Sequence, residues 1–436
     1  MKEENDDNNY IRKDSTDSNR QMILTEYIPK EISFERKEKK NLLLNYIIIF
    51  LILIYFSIVI WSETLYRDKL FQKGIPLQEY IQRNEKYIII LKICKTLSFF
   101  GKEIWYIIIF GLMFILMPIN FSFLLLQALV YSSYGNNILK MIYQSERPNW
   151  ISEYLTFSCN YGYGNPSGHS FTCICIYLTL AHILIAYFKM SLIMKINIFI
   201  FFILASLLIT ISRVIIGAHS INQVLYGFLL GLGVYFILIY IIGYHKYNSN
   251  SFFQHIRNIK INFIYYLIHF ILLFIDILIY FKTKTIDHTS HENKIFNGIR
   301  CKRKNPFNKY KNNGFFESLI IFSLLGAQLG INLLFIILKN KNYIINSAII
   351  EWNKTNYKNV FLKIPIIFFS SFGITLYFII PNNSSLIIIF FFKCGIPFFL
   401  SAFSIYFVGI YLCIYLKIGN LEIYKMDRLQ EITSSY

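Results

Sequence analysis

Apolar residues gather into blocks along the chain, and most blocks approach or exceed the roughly 20 residues a helix needs to cross a bilayer. They fall at about 42–62, 104–117, 121–143, 171–188, 193–214 and 221–243, then at about 262–281, 316–338, 359–380 and 386–416. This pattern predicts an all-α, polytopic integral membrane protein and excludes a soluble enzyme. Residues 1–41 are polar and mixed in charge, which predicts a disordered cytosolic tail. Their acidic start predicts no signal peptide. Arg36, Lys37, Lys39 and Lys40 stand directly before the first block and put the N-terminus inside. The stretch 63–100 is amphipathic and charged and reads as an interfacial helix, while Pro118 and Asn120 mark a tight turn. Lys189 and Lys195 mark the turn between the fourth and fifth blocks as cytosolic, so the polar loop 146–170 and the corner Arg213–His219 share the opposite, non-cytosolic side.

The last four blocks show no internal repeat with the first six. Counting sides to the end places the basic loop 282–314, with Arg300, Lys302, Arg303 and Lys304, outside and against the positive-inside rule. Either one late segment fails to span or the rule is overridden there. The last block is about 31 residues long and is interrupted by Lys393, Gly395 and Pro397, which suggests a hairpin, and residues 417–436 form a polar tail.

The net charge of +18 would suggest nucleic-acid binding in a soluble chain. Here the basic residues flank apolar blocks, where they orient helices and meet anionic headgroups, so membrane lipids are the expected partners and no nucleic acid is. The seven cysteines (Cys94, Cys159, Cys173, Cys175, Cys301, Cys394 and Cys413) follow no regular spacing, which excludes a secreted disulfide scaffold.

Pro, His and Gly are scarce, so motifs built from them stand out. Lys140 is followed seven residues later by Arg147-Pro148; two helical turns would put both cations on one face if the helix continues that far, and both suit phosphate oxygens. Gly164-Asn165-Pro166-Ser167-Gly168-His169-Ser170 precedes the fourth block, where free N–H groups and the helix dipole make an anion site and Gly168 allows close approach. Ser212-Arg213, then His219 and Gln223, bring a fixed cation beside an imidazole at a short corner. Taken singly, each cluster also reads as a snorkelling cation, a capped helix start or a surface histidine. Converging on one membrane face, they meet the needs of phosphoryl transfer without a metal.

In order and spacing these three clusters resemble the three-part signature of the type 2 phosphatidic acid phosphatase family, which includes lipid phosphate phosphatases, glucose-6-phosphatases and, more distantly, vanadium haloperoxidases. The resemblance covers roughly 100–243 and, with the first block, implies a six-helix phosphatase core over 42–243; it does not cover the last four blocks, which read as about four further membrane segments over 244–416. It implies that Lys140, Arg147 and Arg213 hold phosphate oxygens, and that the N–H groups near Ser167 and Gly168 stabilise transition-state charge. His219 would be the nucleophile and form a phosphohistidine, and His169 the acid and then the base. No metal or cofactor is implied. Gln223 departs from the family pattern, which has Asp at that position to orient the nucleophilic imidazole; Gln still accepts through its amide oxygen but carries no charge.

The expected function is therefore a membrane phosphatase for a phosphomonoester, with a lipid phosphate such as phosphatidic acid as substrate and the site on the lumenal or extracellular face. A glucose-6-phosphatase-like sugar phosphatase is the alternative that Gln223 and the extra spans favour. A non-catalytic transporter or lipid-binding relative is the alternative from another class; two titratable imidazoles argue against it. His269 and Asp276 share one apolar run and read either as a functional pair or as a polar link between helices. His288 and His291 lack further zinc-ligand spacing. Asn382 and Asn383 form glycosylation sequons.

Overall fold

The computed structural model describes residues 15–117, 119–152, 154–158, 162–241, 259–284, 314–337 and, with short gaps, 361–415. His288, His291, the sequons at Asn382 and Asn383, most of the basic loop 282–314 and the tail 417–436 lie outside the described residues. The chain divides into two compact units, Met1–Tyr55 and Phe56–Tyr436. The described part of the first is helical from Ser15. The disordered tail was expected over 1–41; its residues 15–41 are helical, where Glu, Lys and Arg that keep the stretch polar are also good helix formers, and residues 1–14 lie outside the described residues.

Every described element is helical. Helix α1 (Ser15–Arg83) passes without a break through the stretch expected to lie at the interface. A short 3-10 turn leads to α2 (Ile88–Leu97), a second one (Ser98–Gly101) follows, and then α3 (Glu103–Leu116). With 14 residues, α3 rises only about 21 Å against a hydrocarbon core of about 30 Å. The second expected span is instead a broken one, Glu85–Gly101 and Glu103–Leu116, bent by 50°. Next come α4 (Ile119–Tyr143), the single turn α5 (Pro148–Ile151), α6 (Gly168–Tyr187), α7 (Leu192–Ile215) and α8 (Ile221–Phe236), which continues as a π-helical turn to Ile241. The C-terminal part adds α9 (Ile259–Lys284), α10 (Gly314–Ile337) and α11 (Ile396–Tyr415).

Among the described residues seven helices are long and apolar enough to span, or eight with the bent pair, where ten blocks were expected. Three blocks account for the difference. Block 104–117 spans only together with the helix before it. Helix α4 has the length of a span at 25 residues but carries Gln127, Ser132, Ser133, Asn136 and Asn137, all buried against other helices. In block 359–380 the described residues 361, 363–365 and 368 are helical, and a 3-10 turn and the five-residue helix Thr375–Ile379 follow, so no unbroken described helix there has the length of a span. The last block is one helix rather than a hairpin, π-helical over Ile388–Gly395 and running on into α11. Lys393 satisfies its ammonium in place by donating to the carbonyls of Tyr377 and Ile380. Pro397 falls in the first turn after the π stretch, where a missing N–H disturbs least.

Helices α6, α8 and α10 form the centre, with 67%, 56% and 72% of their spanning windows buried, against 11% for α1 and α7 and 17% for α9, whose apolar faces are left for lipid. Small residues allow the close packing. A Cβ on Gly227 of α8 would lie 2.7 Å from the Ser167 carbonyl oxygen at the start of α6, and one on Gly326 of α10 would lie 2.5 Å from the Gly395 carbonyl oxygen. Polar links join the C-terminal helices to α4. Gln127 donates to Gln328 (2.7 Å), and the Tyr131 hydroxyl and His269 Nε2 are 3.1 Å apart. Between α10 and α9, Ser318 donates to Asp276 (3.0 Å). His269 and Asp276 thus hold different partners and serve to join helices.

Candidate active site

At the end of the bundle where α4, α6 and α7 start or finish, the chain encloses a cavity of about 270 Å³. Lys140, Arg147, Gly168, His169, Arg213 and His219 all line it, with Lys102, Glu103, Asn136 and Glu317. The three sequence clusters therefore meet in one place. Ser167 and Gln223 stand behind it, each fully buried.

Each residue is held by identifiable local structure. Lys140 sits in the last turn of α4, which ends at Tyr143. Arg147 is not on that helix, as the seven-residue spacing suggested; it is the N-cap of α5 and reaches the cavity because the chain turns back after Gln144. Its guanidinium is fixed by four contacts: Nε to Gly162 O (2.8 Å), Nη2 to Tyr163 O (3.1 Å), and Nη1 to Ala218 O (3.0 Å) and to His219 Nε2 (2.9 Å). Gly162, at φ 81°, takes the left-handed conformation that presents its carbonyl to Arg147.

Arg213 ends α7, and the corner after it closes on Gly217 at φ 71°, with Ala218 N and His219 N donating to Arg213 O at 3.0 and 3.3 Å. This is a helix C-terminus that needs a residue at positive φ, and it delivers His219 to the cavity. A guanidinium only donates, so His219 Nε2 accepts from Arg147 and the ring proton is on Nδ1. That Nδ1–H donates to the Gly164 carbonyl at 2.9 Å, with Gln223 Oε1 as a longer partner at 3.3 Å. Gln223 is shared: its Oε1 also accepts from Ser220 N (3.2 Å), and its Nε2 donates to Glu146 O (2.6 Å). Burial, and next to it the cations Arg147, Arg213 and Lys140, push the His219 imidazole well below its ordinary value, so it is neutral at pH 7 with a lone pair on Nε2.

The start of α6 also differs from expectation. Ser167 N donates to Gln223 O at 2.9 Å, so its N–H is unavailable to an anion. The first intrahelical bond is Phe171 N to Ser167 O, which leaves the N–H groups of Gly168, His169 and Ser170 at the helix start. Five buried polar atoms of cavity-lining residues have no hydrogen-bond partner: the Tyr106 hydroxyl, His169 Nε2, Arg213 Nε, Asn136 Oδ1 and Glu317 Oε2. Orphans of this kind mark a place where a polar ligand completes the bonding.

Sequence reasoning missed the supports. The turn Ser98–Gly101 braces both functional faces: Ser98 Oγ accepts from Arg213, and a Cβ on Gly101 would lie 2.7 Å from the His169 ring. From α1, Glu63 accepts from Asn165 (2.7 Å) and Asn222 (3.2 Å), and Gln78 donates to His219 O (2.8 Å). Among the described residues no group of three His, Cys, Asp or Glu side chains is arranged to hold a metal ion.

A buried imidazole oriented by carbonyls, facing a second imidazole across a cationic cavity within a helical membrane bundle, defines the type of site. Residues 116–247 match the model of the PAP2 superfamily. Phosphatidylglycerophosphatase B of Bacillus subtilis (strain 168) is 31% identical over 103 residues, which cover 24% of this chain and 49% of that protein. The chain thus spans about half the length of the curated relative it matches. No solved structure matches it significantly.

Proposed function

We propose that the protein is a metal-independent membrane phosphatase that hydrolyses a phosphomonoester, with a lipid phosphate such as phosphatidic acid as substrate and the site on the lumenal or extracellular side. The observation that carries this reading is the His219 imidazole on the cavity wall, with Nδ1–H bonded to Gly164 O at 2.9 Å and Nε2 left as the acceptor, met at 2.9 Å by Arg147 Nη1, a donor that turns to the phosphate oxygens when substrate binds. Lys140, Arg147 and Arg213 take the phosphate oxygens, and the N–H groups of Gly168 and His169 add donors at the helix start. His219 Nε2 attacks phosphorus; the P–O ester bond breaks as His169, which takes up a proton once the bound phosphate dianion offsets the surrounding cations, gives that proton to the leaving oxygen. His169 then takes a proton from water, whose oxygen attacks the phosphohistidine and breaks the P–N bond. The fixed cations neutralise charge that a magnesium ion neutralises in other phosphoryl transfer sites.

The superfamily match and the name of the Bacillus subtilis relative support a lipid phosphate over a sugar phosphate. Gln223 favours the sugar phosphate reading. Phosphate release by purified protein in excess chelator, measured with phosphatidic acid and with glucose 6-phosphate and repeated with vanadate, decides between them. Vanadate-sensitive release from the lipid is expected. Release from glucose 6-phosphate alone would move the substrate to the sugar class, and release from neither would overturn the enzymatic reading.

A further inference from the structure

Glu317 enters the cavity from α10, well beyond residue 247 where the superfamily match ends. It is 3% exposed, and its Oε2 is buried with no hydrogen-bond partner. It sits beside the phosphate clamp: a Cβ on Gly162 would lie 3.4 Å from the Glu317 carboxyl carbon, and Gly162 O is the acceptor that fixes Arg147 Nε. A carboxylate here repels a phosphate dianion, so a cavity built for phosphate alone gains nothing from it.

A carboxylate only accepts, and its unfilled oxygen calls for a donor on the ligand. The four cations of the cavity, Lys102, Lys140, Arg147 and Arg213, disfavour an ammonium group there and leave a hydroxyl as the fitting donor. Asn136 Oδ1, a second orphan acceptor on the wall, suits the same chemistry. The volume of about 270 Å³ lies below the roughly 300–1,000 Å³ of pockets that enclose drug-sized ligands, so it admits a phosphate and a few further atoms, with acyl chains outside.

We propose that Glu317 determines specificity by accepting a hydrogen bond from a hydroxyl on the substrate's leaving group, so that polyol phosphomonoesters are preferred to phosphomonoesters without a nearby hydroxyl. This rests on the phosphatase reading above. It gives a helix outside the matched domain a part in choosing the substrate.

Two substrate pairs test it in the purified full-length chain: phosphatidylglycerol phosphate against phosphatidic acid, and glycerol 3-phosphate against propyl phosphate. The wild type is expected to favour the hydroxylated member of at least one pair, and that pair tells a lipid-borne headgroup from a soluble one. Glu317→Ala is expected to lower kcat/KM for the favoured substrate by about ten- to a hundredfold, the range for a hydrogen bond to a charged group. Its hydroxyl-free partner should lose less, so that the ratio of the two kcat/KM values falls. Glu317→Gln, which keeps an acceptor and the shape, should fall in between, and it serves if the alanine variant does not fold. An equal loss on both members, or a preference unchanged in both variants, overturns the proposal while leaving the phosphatase intact. A wild type inactive on all four substrates and on glucose 6-phosphate overturns the phosphatase reading itself.

Discussion

The orientation of His219 gives a quantitative prediction. In a serine protease, where a carboxylate orients the catalytic imidazole, replacing that carboxylate by its amide costs about 10⁴-fold in kcat, because the wrong tautomer results. In this protein the shorter bond to His219 Nδ1–H comes from a backbone carbonyl, Gly164 O at 2.9 Å, and Gln223 Oε1 is the weaker partner at 3.3 Å. Gln223→Ala therefore leaves the tautomer in place and removes one long, neutral hydrogen bond, worth about 0.5–1.5 kcal/mol, or roughly two- to tenfold in kcat/KM. Stability should suffer more. The same substitution strips partners from Ser220 N and Glu146 O, each costing about 1–3 kcal/mol if left buried and unpaired. Phosphate release kinetics together with a thermal melt separate the two effects. A loss above about a hundredfold in variant protein that is still folded at the assay temperature would refute the assignment of Gly164 as the orienting acceptor.

Because burial and surrounding cations lower the His219 pKa, the free enzyme keeps its nucleophile unprotonated below pH 6.5; the acid limb of kcat/KM should lie below that value, and a limb above it would contradict the neutral imidazole. Gly101→Ala puts a methyl group against the His169 ring and Ile209, so it should lower kcat/KM for alkyl phosphates about tenfold or more while sparing kcat/KM for p-nitrophenyl phosphate, whose leaving group needs no proton in phosphoenzyme formation; equal losses in kcat/KM on both would place the fault elsewhere. Arg147→Lys keeps the charge but cannot reproduce the fork to Gly162, Tyr163, Ala218 and His219, and should cost about a hundredfold or more in kcat/KM, with near-normal activity refuting the clamp.

Much of the site was legible because it uses scarce residues at fixed spacing. Lys140, Arg147, Gly168, His169, Arg213 and His219 all line one cavity, although stretches of the chain far apart in sequence contribute them. What sequence could not show was carried by atoms without a side-chain signature. The Gly164 and Gly162 carbonyls orient His219 and Arg147, and the Ser167 N–H is taken by Gln223 O. The helical face predicted for Lys140 and Arg147 failed because α4 ends at Tyr143, four residues short of the arginine. Helix α4 was read as an ordinary span from its length, yet its amides and hydroxyls are buried, several of them against the C-terminal helices. Glu317 gave no signal at all, since one acidic residue in an apolar run has no spacing to be read against; only the fold brings it beside Gly162.

The most direct test of the account is to mix the purified protein with a ³²P-labelled phosphomonoester substrate, quench within a turnover and map the label. The account predicts an acid-labile, base-stable phosphate on His219 in the wild type and none, with no hydrolysis, in His219→Ala. Label on another residue, or undiminished turnover in His219→Ala, would contradict it.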